Sequence, residues 1–187
     1  DVAWTHLLDP ETGSYNIPFI PKFMPGAKAV LVHLFRREIG IVTAPGNPKK
    51  IRNFEDLTAD GVLFVNRQAG SGTRLLLESE LGKRRIPPAG IAGFDREVYT
   101  HVEVGLSILS GEADAGLASV AVSRLMGLHF IPVTREHFDM ALGQTTYFHR
   151  GIQALVDILR SPGFRERFEK LGGYGFEDSG KILHSTL

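Results

Sequence analysis

Hydrophobic and polar positions fall along this chain in blocks whose period changes. Residues 62–66 are apolar nearly throughout, the pattern of a strand buried on both faces of a parallel sheet. A Gly-Ser-Gly turn follows, and residues 71–81 then read as a helix. Residues 97–101 lead into a second helix, whose apolar face is expected from Val102, Val104, Leu106, Ile108 and Leu109. Residues 113–118 form a short strand. A third helix over 120–126 opens at Ser119 and stops at Gly127, and residues 129–133 form the next strand. Strands and helices in alternation predict a parallel α/β sheet.

The flanks have a different rhythm. Residues 2–8 look like a short strand, 9–14 a turn-rich loop, and 15–24 a short helix after Pro18. Residues 29–35 and 39–43 are β-rich, with Arg36-Arg37-Glu38 between them as a bulge or solvated patch. Ala44-Pro45-Gly46-Asn47-Pro48 breaks regular structure, and residues 54–57 form a short helix capped by Asn53. Residues 134–142 run back out, with Phe138, Met140 and Leu142 alternating against Asp139 and Ala141. Ile152, Leu155, Val156 and Leu159 stand at helical spacing, and Pro162 opens a last helix with Ser161 as its cap. The tail, residues 175–187, looks loosely held.

The string Asn66-Arg67-Gln68-Ala69-Gly70-Ser71-Gly72-Thr73-Arg74 carries the main candidate chemistry. Gly70 and Gly72 allow backbone shapes that a Cβ forbids, and Ser71 or Thr73 can cap the helix. A helix start presents unpaired N–H groups and the positive end of the dipole to an anion. Arg67 and Arg74 bracket the turn with forked donors. Thr73 stands where a P-loop needs Lys, the third glycine of a dinucleotide fingerprint is missing, and Ala69 and Thr73 replace the glycines of a nucleophile elbow. The same residue types also serve a capped turn without a ligand. Thr100 and Ser119 open two further helices after strands, so three hydroxyl-bearing helix starts are expected at one sheet edge.

The 187 residues suit one large domain or two lobes, and 43% are hydrophobic. Lys+Arg and Asp+Glu are both 21, which argues against a broad basic face for nucleic acid. There are no cysteines, which excludes disulfides and thiolate metal sites. The seven histidines show no metal-ligand spacing, and neither metal nor cofactor is expected. No apolar run reaches membrane-spanning length. No signal peptide is seen, giving an expectation of a cytoplasmic protein, although the first residues read as the end of a strand and upstream sequence is expected. Asp114 is assigned a structural role. Glu97 and His101, four apart, can pair on a helix start. A Ser71–His101–Asp114 triad is disfavoured for want of an oxyanion-hole signature, and no catalytic residue is assigned.

Together, His6-Leu7-Leu8-Asp9-Pro10-Glu11-Thr12-Gly13-Ser14-Tyr15-Asn16, Arg37-Glu38-Ile39-Gly40, Pro45-Gly46-Asn47-Pro48, the glycine string above, Glu97-Val98-Tyr99-Thr100-His101 and Ser110-Gly111-Glu112-Ala113-Asp114-Ala115-Gly116-Leu117 form a pattern, with Phe130-Ile131-Pro132 and Glu136-His137-Phe138-Asp139 completing it. The chain resembles the substrate-binding-protein-like domain of molybdate-type transcriptional regulators and molybdopterin-biosynthesis proteins, a type 2 periplasmic binding fold. The resemblance implies two α/β lobes with a cleft and two hinge crossings. Lobe I would hold 1–44 and 139–187, and lobe II 45–138. It also implies that the first lobe lacks an N-terminal strand and helix.

The expected function is therefore binding of a small anion, such as a molybdate- or tungstate-like oxyanion, at helix N-termini. The candidate contacts are Ser71, Gly72, Thr73, Arg74, Thr100 and Ser119. A fused DNA-binding or enzyme domain and a homodimer remain open, with no direct nucleic-acid or membrane contact by this domain. The alternatives are an accessory domain in molybdenum-cofactor biosynthesis and an interaction scaffold whose cleft binds nothing.

Overall fold

The computed structural model describes residues 1–9 and 11–186; Pro10, in the expected 9–14 loop, and Leu187, in the expected tail, lie outside the described residues. In chain order the elements are β1 (Val2–Thr5), α1 (Ile20–Phe23), β2 (Ala29–Thr43), β3 (Phe64–Arg67), α2 (Gly72–Arg84), β4 (Glu97–Val98), α3 (His101–Leu109) and β5 (Ala115–Ser119). There follow α4 (Val120–Met126), β6 (His129–Gly143), α5 (Gln144–Tyr147), α6 (Arg150–Arg160), α7 (Pro162–Leu171), β7 (Tyr174–Gly175) and β8 (Ile182–Ser185). The chain divides into two compact units: Asp1–Arg37 with Arg135–Leu187, and Glu38–Thr134. It leaves the first unit along β2 and returns along β6. The Pro45–Pro48 turn falls inside the second unit.

In the second unit β5 lies between β2 and β3, antiparallel to β2 and parallel to β3, and β4 adds in parallel to β3. Successive residues of each strand face opposite sides, so each strand feeds two cores. Ile41, Phe64 and Leu117 pack with Leu77 and Leu81 of α2. Val42, Val65 and Ala118 pack with Val104 and Ile108 of α3 and Val122 of α4. Gly116 lets α3 sit close to the sheet, because a Cβ there would run into the Val104 side chain and the Val65 carbonyl. Only part of the expected α3 face turns inward. Val104, Gly105 and Ile108 are buried, while Val102, Leu106 and Leu109 are exposed, because a 3.6-residue period cannot put all five on one stripe.

In the first unit β6 lies between β1 and β2, with β1 antiparallel to it from Val2↔Leu142 to Thr5↔Asp139. Val30, Val32, Leu34, Met140 and Leu142 pack on Val156 and Leu159 of α6 and on Phe176, and Phe35, Phe138, Phe164, Phe168 and Tyr174 surround them. Arg36-Arg37-Glu38 does not interrupt β2, which is one fifteen-residue strand. Two of its charges find partners there: Arg36 donates to Asp178 and Arg37 to Glu136, each at 2.7 Å. Nor is the tail loose. β8 pairs with β2, Phe176 is buried, and the Ser179 hydroxyl donates to the Leu34 carbonyl. Ser161 begins α7, yet its hydroxyl donates backward to the Ile158 carbonyl at 2.7 Å instead of capping the new helix.

A polar cluster is buried in this unit. Asp139, fully inaccessible, accepts from Asn16 Nδ2 at 2.6 Å and contacts His33 Nδ1 at 2.7 Å. Asn16 Oδ1 in turn accepts from Thr5 Oγ1 and the Leu7 amide. Among the described residues, no helix is long and apolar enough to cross a membrane.

Candidate functional site

Parallel strands end at the same edge. β5, β3 and β4 are neighbours in parallel, so their carboxyl ends carry Ser119, the 68–71 turn and Tyr99-Thr100 to one side of the second unit. These three strand ends bring the starts of α2, α3 and α4 together on that edge.

At α2, Gly70 takes φ +81°, a left-handed turn that glycine adopts without a Cβ penalty. Ser71 is the N-cap, extended at φ −71°, ψ 145°, with its Oγ accepting from the Arg74 amide at 3.2 Å. Its own amide donates to the Gln68 carbonyl, also at 3.2 Å. The amides of Gly72 and Thr73 come too early in the helix for an intrahelical acceptor. Amides in that position are the ones a helix start offers to an anion. The Thr73 side chain is buried.

Arg74 is largely spoken for. Its Nε donates to Glu78 Oε1 at 2.7 Å, and its Nη1 reaches the Phe94 carbonyl and Glu97 Oε1, both at 3.4 Å. The guanidinium lies 4.1 Å from the Phe94 ring centroid, and the residue is 7% exposed. Arg74 thus ties α2 to the segment entering β4. Arg67, at the end of β3, donates from Nη2 to the Tyr99 carbonyl at 2.6 Å. Glu97 also accepts from the Ala69 amide at 3.2 Å, which places a carboxylate beside the turn.

At α3, Thr100 forms a reciprocal cap with Glu103. Thr100 Oγ1 accepts from the Glu103 amide at 3.0 Å, while Glu103 Oε2 accepts from the Thr100 amide at 2.8 Å and the Tyr99 amide at 2.6 Å. Ser119 is buried at the start of the seven-residue α4 and makes no side-chain cap. Asp114 precedes β5 and accepts from the Leu63 amide at 2.8 Å, with Lys49 Nζ at 3.8 Å. It sits at the opposite edge from Ser71, a strand's length away at about 3.3 Å per residue, so Ser71, His101 and Asp114 do not assemble as a triad.

Glu97, expected to pair with His101, instead accepts from the Ala69 amide and Arg74, and Glu103 supplies the carboxylate of the α3 cap. Glu103 was legible, since Thr-x-x-Glu before an apolar run is a capping-box signature. Glu97 was not, because its partners lie across the sheet.

Helix starts gathered at the carboxyl edge of a parallel sheet, on a chain folded as two units joined by two passing strands, define a substrate-binding domain. The chain belongs to the PBP superfamily, whose domain model matches residues 1–160. It is 31% identical over 186 residues, its whole length, to the uncharacterized protein YvgK of Bacillus subtilis, and spans 60% of that protein. It is 39% identical over 85 residues to the molybdate-binding protein ModA of Mycobacterium tuberculosis, which covers 43% of this chain and 30% of that one. Among solved structures it resembles the ancestral amino acid-binding protein AncCDT-1, with a TM-score of 0.58 and 19% identity, over 83% of this chain and 65% of that one.

Proposed function

We propose that this domain captures a small anion at the carboxyl edge of β5, β3 and β4. The observation that carries this reading is the start of α2, where the Gly72 and Thr73 amides lack intrahelical acceptors and face the same edge as Thr100 and Ser119. Ser71 and Thr100 present hydroxyls already fixed by their caps, so little ordering cost remains for the ligand to meet. In this reading Arg74 acts from behind, fixing the turn through Glu78, Glu97 and Phe94, and the amides make the contact. A tetrahedral oxyanion suits such neutral donors. The stretch of similarity to a molybdate-binding protein supports molybdate or tungstate as the first ligands to test.

A second reading takes the ligand to be amphoteric. It is favoured by the Glu97 carboxylate beside the turn, which would repel a bare dianion but welcome a ligand bearing an ammonium group next to its carboxylate. The structural likeness to an amino acid-binding protein agrees with it.

Calorimetric titration of the chain with molybdate, tungstate, sulfate, phosphate and a panel of amino acids separates the two. The oxyanion reading expects heat with molybdate or tungstate, weakened about tenfold or more in Ser71→Ala, since a hydrogen bond to a charged group is worth about 1.5–3 kcal/mol. Heat with amino acids alone, weakened in Glu97→Gln, would establish the amphoteric ligand. Silence with every compound overturns both.

A further inference from the structure

We propose that Tyr99 selects the ligand of the second unit's carboxyl edge by stacking on an aromatic body attached to the anionic head; this role rests on that edge being the anion site. Tyr99 leaves β4 beside the turn that starts α2. The Val98 carbonyl before it accepts from the Gln68 amide at 3.1 Å, and Glu97 accepts from the Ala69 amide at 3.2 Å. Charged groups hold its backbone from both sides. The Tyr99 amide donates to Glu103 Oε2 at 2.6 Å, and its carbonyl accepts from Arg67 Nη2 at 2.6 Å. Hydrogen bonds of this charge-assisted kind are the strong ones. The ring that they carry is 71% exposed and has no ring or cation partner among the described residues.

An aromatic side chain stabilises a fold by being buried, and a ring left in water contributes little to it. A fixed backbone beneath an exposed ring prepares a contact surface instead, because part of the ordering cost is met before a ligand arrives. Tyrosine, with two side-chain torsions, supplies such a surface at low entropy cost. The polar half of the edge is prepared differently. The hydroxyls of Thr73 and Ser119, residues only 2% and 4% exposed, have no hydrogen-bond partner among the described residues, and neither oxygen is sealed from the surface. Hydroxyls in buried residues normally find a partner, and the oxygens of an anionic head supply one for each. Head and body thus fall to different residues. The Gly72 and Thr73 amides and these hydroxyls take the head, and the Tyr99 ring takes the body. A bare tetrahedral oxyanion offers that ring nothing to stack on.

The full chain is titrated, with amide and ring resonances as the readout, against two matched pairs: acetate and phenylacetate, alanine and phenylalanine. Within each pair the charged head is the same and one member adds a phenyl ring. The expected result is that at least one pair shifts the Gly72 and Thr73 amides. Its aromatic member should bind about fivefold tighter or more and move the Tyr99 ring signals. Tyr99→Ala, which removes an exposed ring and leaves the backbone bonds in place, is expected to erase that preference, and Tyr99→Phe to restore it. Ser71→Ala, which acts on the head, should weaken both members alike. Equal affinities within the pair, or a preference that survives Tyr99→Ala, overturns the role of Tyr99 and leaves the edge as an anion site. If neither pair nor molybdate moves the Gly72 and Thr73 amides, the edge is not the anion site, and the role of Tyr99 falls with it.

Discussion

The two units satisfy their buried polar groups over different distances along the chain. The second buries Asn66, Arg74 and Ser123, and each finds its partners within the same continuous stretch: Asn66 donates to the Phe94 carbonyl, Arg74 reaches Glu78, Phe94 and Glu97, and Ser123 donates to the Leu128 carbonyl. The first buries Asp139, His33, Asn16 and Glu136 among its strands and joins distant chain segments through them. The difference follows from connectivity. A continuous α/β stretch can be assembled by neighbours in sequence, and its apolar periodicity suffices. A unit built from two separated pieces needs partners that recognise one another across the gap, and paired polar groups supply that specificity at the risk of a large loss when one partner goes.

That contrast can be broken at its strongest point first. Asp139→Ala strands both His33 and Asn16 in the interior and is expected to destabilise the first unit by about 3–5 kcal/mol, read as a lowered urea midpoint of Trp4 fluorescence. Leu77→Ala leaves a cavity in the apolar core of the second unit, expected to cost about 2–5 kcal/mol in urea unfolding, with no polar group left unpaired. Acid should separate the units by the order in which they respond. Burial depresses the pKa of His137, so the unfolded chain binds its proton more tightly, and stability is lost as pH falls from 6.5 through the folded value. Burial opposes ionisation of Glu80 on α2, but its bonds from Lys83 and Arg84 win and hold its carboxyl below the ordinary 4.5. Its contribution is present above 4.5 and lost only below it. The first unit, read by Trp4 fluorescence, should therefore lose stability at a higher pH than the second, read by amide hydrogen exchange in α2. The smallest effect is Thr100→Ala, which removes one half of a reciprocal cap and should cost about 1 kcal/mol, measured by urea unfolding.

The same contrast explains what was legible. In the second unit α4 could be bounded from the chain alone, because Ser119 and Gly127 punctuate it, and the helix after Gly70-Ser71-Gly72 was plain from the turn residues. The three helix starts sharing an edge followed from the alternation of strand and helix. What could not be read was how Arg74 and Glu97 engage, since nothing between positions 74 and 97 announces a contact. In the first unit Arg36-Arg37-Glu38 looked like a break because Asp178 and Glu136, which make the arginines acceptable in a strand, stand about a hundred positions away or more, where periodicity carries no signal. The tail looked loose for the same reason, its strand partner being β2.

The passage of the chain out along β2 and back along β6 also sets an order of events on the ribosome. Residues 1–37 emerge first and cannot complete their fold until Arg135–Leu187 follows, whereas Glu38–Thr134 is contiguous and can close as soon as it is clear of the exit tunnel. At about 5–20 residues per second, β1 and the first half of β2 wait on the order of 5–20 seconds for β6 and β8, which pair with them. The nascent first unit is the stretch a chaperone has most reason to hold, and slowing translation downstream of residue 134 lengthens its exposure while leaving the second unit untouched.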